Sequence, residues 1–526
     1  MIDGAMQPFA LTLDKFLRHA AKWRPAAEVV TAREDGGRDR IGYAGLMGRS
    51  LRVSSALADL GVRQGHRVAT LAWNTQAHVE AWYAVMGMGA VCHTLNPRLT
   101  AGHLAAMLER SGAKVLIAGA DLLGLARQVA ERAPQAVRLL TIDGPAEADA
   151  PALEDLLQAA EPEFAWGGFD ENAPCGLCFT SGTTGAPKGV TYTHRASYLH
   201  TLRALQVDTM ALGGADAVLT VVPMFHANAW GLPFAAPAVG AKLVLPGRNN
   251  DGASLARLIQ AEDVTVAVGV PTVWLGLLEH VEATGADLPS LKRIIVGGAP
   301  MPPALMARLE ERLGVIIQTS WGMTELSPSG TVAGPHDPRT PALSGRPAVG
   351  VDLMVADVEG RPLPEQRNAE GRLYVRGAAV VERYFGETAP ATDADGWFAT
   401  GDLARIDEAG NLMITGRAKD LIKSGGEWIN PAEIEAVVSA LPEVSLAAVI
   451  GRADPKWGER PILLVELRDP DATDAALLEP LKGKVASWWI PDAIVRLESM
   501  PLAATGKIDK LRLRLEYGGE PVGAST

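Results

Sequence analysis

Cysteine is scarce, positive charge is outnumbered, and no long uninterrupted apolar run occurs in this chain of 526 residues. The three cysteines, Cys92, Cys175 and Cys178, are too few for a disulfide framework and suit a reducing compartment. Cys175 and Cys178 form a single CxxC with no second pair and no nearby histidines, so they read as small apolar residues of a buried strand rather than as a zinc site. With 49 Lys and Arg against 61 Asp and Glu, the net charge of −12 offers no basic face to nucleic acid or anionic lipid, and any nucleotide site must be built locally. The first residues, through Asp14, Lys15 and Arg18, lack the apolar stretch of a signal peptide. The most apolar region, Val218 to Leu245, is broken by Pro223, His226, Asn228, Pro233, Pro237 and Lys242 and makes no simple membrane span. These absences predict a cytoplasmic protein without an integral membrane segment and without a nucleic-acid partner. Solenoid repeats and low-complexity tracts are missing as well.

What is present is an ordinary globular composition, 48% hydrophobic and 21% charged, in a chain long enough for two or more domains. Up to about Gly350, apolar β-branched runs precede turns and amphipathic stretches, the pattern of parallel strands alternating with helices. The clearest runs are Val218 to Val222, Lys242 to Leu245, Thr265 to Val270, Arg293 to Val296 and Val315 to Gln318. From Val351 the runs become short and alternating, Leu353 to Val358, Arg372 to Val375 and Leu412 to Thr415, with turn residues such as Glu408 to Asn411 between them, which predicts an antiparallel subdomain. After Arg417 a final segment is of a size to be a small α+β domain. The fold class expected is α/β: a large N-terminal domain over residues 1–418, with layered α/β subdomains and a β-rich subdomain, then a small mobile C-terminal domain over 419–526.

The most specific stretch follows the apolar strand Leu177 to Phe179: Thr180, Ser181, Gly182, Thr183, Thr184, Gly185, Ala186, Pro187, Lys188, Gly189. Glycines admit an anion close to the backbone N–H groups, hydroxyls add donors, and Lys188 supplies a positive charge for phosphates. Pro187 and Gly189 flank the lysine, whereas the loop of nucleotide hydrolases has glycine before it and Ser or Thr after it, so a kinase or motor is disfavoured.

This loop, TSGTTGAPKGV, resembles the signature of the adenylate-forming superfamily, which contains acyl-CoA synthetases, peptide-synthetase adenylation domains and beetle luciferases. Further motifs follow in the family's order, and the resemblance extends from about Leu11 to Leu515. The stretch Val222 to Gly231 resembles the gate of fatty-acyl-CoA ligases, with His226 and Trp230 as gate residues, although read alone a histidine or tryptophan in such a place is more often part of the core. Gly297, Gly298, Ala299 and Pro300 end a strand with room for a flat ring or an acyl chain. Ser320, Trp321, Gly322, Met323, Thr324 and Glu325 resemble the adenine and magnesium motif; the family more often has Tyr at Trp321, a change that keeps stacking and loses any phenol hydrogen bond. Thr180 and Glu325 are the metal-ligand candidates, carboxylate oxygen suiting a hard Mg²⁺ ion. Asp402, joined by Arg417, is by resemblance the acceptor for the ribose hydroxyls. Lys419 takes the family's hinge position, and Lys423, Gly425, Gly426, Glu427 and Trp428 resemble the loop lining the pantetheine channel. Lys507 matches the family's last motif, a cation for the transition state of carboxylate attack on the α-phosphorus.

The resemblance implies an ATP-, Mg²⁺- and coenzyme A-dependent ligase that makes acyl-AMP and then acyl-CoA, with His226, Thr324, Glu325 and Lys507 as its catalytic set. Medium- to long-chain fatty acids are the expected substrates, with 3-methylmercaptopropionate or aromatic acids as alternatives and a homodimer as the expected assembly. A peptide-synthetase module is expected to continue into a carrier domain, and a luciferase-type oxygenase does not need the channel-like loop. An ATPase, a phosphotransferase or a non-catalytic nucleotide binder are the readings from other classes. The first two require their own magnesium loop and acceptor base, and the third has no use for both Lys507 and Glu325.

Overall fold

The computed structural model describes residues 3–161, 163–180, 187–425, 427–503 and 506–519. Within them, the continuous apolar runs become the interior strands of two parallel sheets, as expected for strands buried on both faces by crossover helices. The first sheet runs, edge to edge, Arg138–Ile142, Val115–Gly119, Arg67–Leu71, Val91–Thr94, Pro174–Phe179, Gly189–Thr193. Its first five strands are parallel, and the last turns back antiparallel after the phosphate-loop motif. Cys175 and Cys178 lie on Pro174–Phe179 and are buried, as expected of small apolar residues on an interior strand.

The second sheet runs Arg346–Pro347, Ser329–Val332, Ile316–Gly322, Arg293–Val296, Val266–Gly269, Ala217–Thr220, Lys242–Leu245, Glu28–Ala32, Arg38–Gly42. Its six central strands are parallel and the strands at both ends antiparallel, so the alternation before Gly350 is less uniform than the sequence suggests. Local signals set the boundaries: the helix Pro303–Leu313 has proline in its first turn and stops at Gly314, whose φ of 64° reverses the chain into Ile316–Gly322. A main core fills the space between the sheets. In it the helix Gln76–Gly87 packs Trp82 and Tyr83 against Phe234, each with ring centroids 5.9 Å apart, and the Tyr83 hydroxyl donates to Pro233 O at 2.9 Å. The helix Leu232–Val239 is thereby fixed, and with it the gate motif that precedes it.

The β-rich part is an antiparallel meander, Val351–Ala356, Glu370–Gly377, Phe398–Ile406, Leu412–Arg417. Its last hairpin sets Asp402 directly opposite Arg417. The C-terminal segment forms a separate small sheet, Glu427–Ile429, Ile422–Ser424, Gly458–Leu467, Val444–Asp454, with Ala493–Arg496 added parallel to Gly458–Leu467. The helices Pro431–Val438 and Lys510–Tyr517 pack on that sheet. Among the described residues no helix is long and apolar enough to cross a membrane.

Candidate active site

Strand Arg293–Val296 ends in Gly297 and Gly298, and the flat ring using the space of their missing side chains is that of Trp230. A methyl on Gly297 would lie 2.9 Å from Trp230 Cη2 and 2.4 Å from Ser320 Oγ; one on Gly298 would lie 3.8 Å from Trp230 Cζ2. The Ser320 hydroxyl is held here, donating to Val296 O at 2.9 Å. Ala299 and Pro300 continue toward the surface. Trp230 is carried on a left-handed turn in which Ala227, Asn228, Ala229 and Trp230 have φ of 44°, 52°, 47° and 52°. Each such L residue costs roughly 1–2 kcal/mol, so the turn survives only because its surroundings over-determine it. Asn228 Oδ1 accepts from Cys178 Sγ at 3.4 Å, and the helix Leu232–Val239 anchors the far end. His226 opens the turn; burial, then the nearby charges of Lys507 and Arg98, push its imidazole down to about 4, so it is neutral at pH 7.

Lys507 reaches this place from the C-terminal segment. Its Cε would be 3.5 Å from a methyl on Gly298, and Thr272 Oγ1 donates to the carbonyl of the preceding Gly506 at 3.2 Å. Burial lowers the ammonium to about 8, with Arg417 pushing it further down and Asp402 and Glu325 drawing it back up. Those influences show that Lys507, Asp402, Glu325 and Arg417 share one electrostatic neighbourhood.

Asp402, buried on Phe398–Ile406, is gripped from two sides: Arg417 Nε lies 2.7 Å from Oδ1, and the Trp321 indole N–H donates to Oδ2 at 2.9 Å. Burial raises the Asp402 carboxyl, while Arg417 and then the indole favour its ionised form. The tryptophan that replaces the family's usual tyrosine therefore brings a hydrogen bond of its own, to a partner 81 residues away that no local motif announces. Its ring is wedged against Gly330, where a methyl would come within 2.5 Å of Cζ3. Beyond it, Met323 N–H donates to Pro328 O at 3.0 Å, and Gly322 passes so near that a methyl there would meet the same oxygen at 2.3 Å.

Thr324 and Glu325 form the tight turn that follows. The Tyr192 hydroxyl donates to Thr324 O at 2.8 Å, and the Tyr384 hydroxyl donates to Glu325 Oε1 at 2.9 Å. Among the described residues Glu325 Oε2 accepts no hydrogen bond and remains available to a hard cation. One carboxylate with phosphate oxygens is a usual Mg²⁺ set, so the residues fit that ion. No group of three or more metal-binding side chains occurs among the described residues. Tyr384 also carries Lys188, whose Nζ sits 4.7 Å from the ring centroid. The backbone is tied together at the same point: Phe385 N–H donates to Gly189 O at 2.8 Å, and Arg110 Nη1 donates to Pro187 O at 2.6 Å. Thr180 stands across from Lys188, its N–H donating to Lys188 O at 2.8 Å. Ser181, Gly182, Thr183, Thr184 and Gly185 lie outside the described residues, as does Gly426. Tyr384 and Arg110 were not legible as site residues, since the contact between Tyr384 and Glu325 spans 59 residues and follows no local motif.

The remaining candidates are elsewhere. Lys423, Gly425, Glu427 and Trp428 lie on the hairpin Ile422–Ser424/Glu427–Ile429, with Lys423 Nζ 5.6 Å from the exposed Trp428 ring and Trp457 packed where a side chain on Gly425 would go. Among the described residues none of them hydrogen-bonds to the groups around Lys507. Lys419 lies in the short turn Ala418–Asp420 between the meander and the small sheet, and its ammonium is lowered chiefly by burial.

Comparison with known proteins gives this arrangement a context. Residues 16–385 match the family described as AMP-binding enzyme, and residues 433–507 match the AMP-binding enzyme C-terminal domain. The chain is 40% identical to the 3-methylmercaptopropionyl-CoA ligase of Ruegeria lacuscaerulensis over 532 aligned positions, covering 98% of each. It is 41% identical to the medium-chain-fatty-acid–CoA ligase of Ectopseudomonas oleovorans, covering 98% of this chain and 97% of that protein. Among solved structures, the anthranilate CoA ligase AuaEII in complex with anthranoyl-AMP superposes with a TM-score of 0.89 at 25% identity, covering 97% of this chain and 98% of that one.

Proposed function

The chain belongs to the AMP-binding enzyme family, and from that premise we propose that it is an AMP-forming acid–thiol ligase: it joins a carboxylate to ATP as acyl-AMP and diphosphate, then transfers the acyl group to coenzyme A. The observation that supports this best is the position of Lys507, a cation from the C-terminal segment seated at Gly298 beside Trp230. Carboxylate attack on an α-phosphorus concentrates negative charge, and a fixed ammonium in a partly desolvated site stabilises that charge. Asp402, oriented by Arg417 and Trp321, is the acceptor for the ribose hydroxyls. Lys188 and Thr180 face the β- and γ-phosphates. When bound at Glu325, Mg²⁺ neutralises phosphate charge. Neutral His226 and the Trp230 ring border the acyl entrance, the ring closing it until nucleotide arrives.

After adenylation the C-terminal domain turns about Lys419, withdraws Lys507 and brings the hairpin with Lys423, Gly425, Glu427 and Trp428 to the acyl-AMP, where it receives the thiol arm of coenzyme A. The substrate class is a medium- to long-chain aliphatic acid, in keeping with the medium-chain-fatty-acid–CoA ligase named above, with 3-methylmercaptopropionate and aromatic acids as the alternatives that the other relatives suggest. The three buried unpaired thiols suit action in the cytoplasm, and a homodimer is the proposed assembly. Diphosphate release from ATP is the test: it should require an added carboxylate, and thioester should form only with coenzyme A present. Hydrolysis of ATP at the same rate without any acid would make the chain an ATPase and end this reading.

A further inference from the structure

Asn74 stands in the link between the strand Arg67–Leu71 of the first sheet and the helix Gln76–Gly87, and it is 3% exposed. Its side-chain amide is spent on a short stretch of backbone that leads into the gate. Nδ2 donates to Thr220 O and to Val222 O, each at 2.9 Å, and Oδ1 accepts from Met224 N–H at 2.7 Å. Two carbonyls and one N–H admit a single orientation of the amide, with its nitrogen toward the carbonyls. These groups belong to the end of the strand Ala217–Thr220 and to the segment that runs through Pro223 into His226. The register with Val266–Gly269 ends where Val268 faces Thr220, and the N–H groups of Val221 and Val222 both turn to the one Val268 carbonyl, at 3.1 and 3.3 Å. Asn74 therefore carries the pairing past the point where the ladder stops.

The two sheets are joined here by other bonds as well. Gly247 N–H donates to Asn74 O at 3.1 Å, and Gln76 N–H donates to Thr31 Oγ1 at 2.9 Å. The Asn74 amide itself goes to the approach to His226 and Trp230. The neighbouring Trp73 adds an edge-on contact with Phe225, ring centroids 6.0 Å apart, and His226 N–H closes back on Pro223 O at 3.0 Å. The exit of the gate is tied to the same helix, through the Tyr83 hydroxyl on Pro233 O. Between these two fixed points lie the four left-handed residues Ala227, Asn228, Ala229 and Trp230. A strained turn pinned at both flanks keeps its shape, and the ring it carries keeps its seat at Gly297 and Gly298.

Resting on the ligase reading and its closed Trp230, we propose that Asn74 is a positioning residue for the acyl gate. Its amide holds the left-handed turn in the closed form. Without it the turn relaxes toward ordinary φ, Trp230 leaves its seat, and acid enters without waiting for nucleotide. Asn74 acts through the gate backbone, so nucleotide binding stays as it is.

The test is calorimetric titration of octanoate into the full-length enzyme, without nucleotide and with a non-hydrolysable ATP analogue. Nucleotide-free Asn74→Ala should bind octanoate about tenfold tighter than native, on the scale of one or two lost hydrogen bonds, while the analogue itself binds within about twofold of native. Asn74→Ser keeps one donor and one acceptor; it should lie between, and it serves should the alanine variant fold poorly. In a Trp230→Ala background Asn74→Ala should change nothing further. A folded variant whose octanoate affinity rises by less than about twofold, an effect that adds to that of Trp230→Ala, or equal shifts in octanoate and analogue binding each makes Asn74 a general brace and overturns the proposal. If Trp230→Ala alone leaves nucleotide-free octanoate affinity at the native value, Asn74 has no gate to set and the proposal falls. Release of no diphosphate from any acid would instead defeat the ligase reading on which the inference stands.

Discussion

Replacing Gly297 by alanine puts a methyl group into the space held by the closed Trp230 ring. The new carbon would stand 2.4 Å from Ser320 Oγ and 2.9 Å from Trp230 Cη2, both shorter than real contacts allow. Ser320 can rotate at the expense of its bond to Val296 O, but Trp230 is 8% exposed on a turn whose next helix is anchored through Tyr83. The ring must therefore leave its seat. Overpacking of this kind costs about 1–3 kcal/mol, and each 1.4 kcal/mol is about tenfold in an equilibrium, so the closed-to-open ratio should fall by roughly 5- to 150-fold. If the closed ring occludes the acyl entrance, acid affinity without nucleotide is reduced by the fraction of molecules that are open, and the substitution restores it. Calorimetric titration of acid into nucleotide-free enzyme should therefore show tighter binding by Gly297→Ala, with no further gain when Trp230→Ala is added. A folded Gly297→Ala protein whose acid affinity stays within about twofold of native refutes the occlusion argument.

Lys507→Ala should lower adenylation by roughly 10²- to 10³-fold, the scale of one lost transition-state contact, while sparing thioester formation from supplied acyl-AMP; equal loss in both half-reactions would exclude the assigned role. Because the Lys507 ammonium loses its proton as pH rises through about 8, adenylation by nucleotide-free enzyme should decline above that pH, and Lys507→Arg should flatten the decline in the measured kcat/KM profile. Trp321→Phe removes a hydrogen bond to a buried carboxylate, about 1.5–3 kcal/mol, and should narrow the discrimination between ATP and 2′-deoxy-ATP; an unchanged ratio means that the indole does not orient Asp402. Tyr384→Phe keeps the ring beneath Lys188 and deletes the bond to Glu325, so Mg²⁺ should be needed at about tenfold higher concentration at an unaltered KM for ATP, whereas Tyr384→Leu should raise that KM too.

The strands Lys242–Leu245 and Arg293–Val296 were legible to the residue because both faces are buried, which writes a continuous apolar run into the sequence. The run Val315 to Gln318 stops short of the observed Ile316–Gly322, since the strand continues through Thr319, Ser320 and Trp321, whose polar groups break the apolar pattern, those of Ser320 and Trp321 serving the site. Asp402 and Arg417 were reached by resemblance, and their physical reason is the cross-strand register that sets them face to face. Tyr384 and Arg110 were invisible for one shared cause. Each has its meaning from partners far along the sequence that only the folded chain assembles.

The place of Glu28–Ala32 in the large sheet bears on how the protein is made. Its neighbour on the inner side is Lys242–Leu245, so an early hairpin has no docking edge until roughly 200 more residues have been synthesised. At a ribosomal pace of about 5–20 residues per second, that delay is on the order of 10–40 seconds. Arg38, Asp39 and Arg40 on the outer strand keep the waiting hairpin charged, which discourages pairing with strands of other nascent chains.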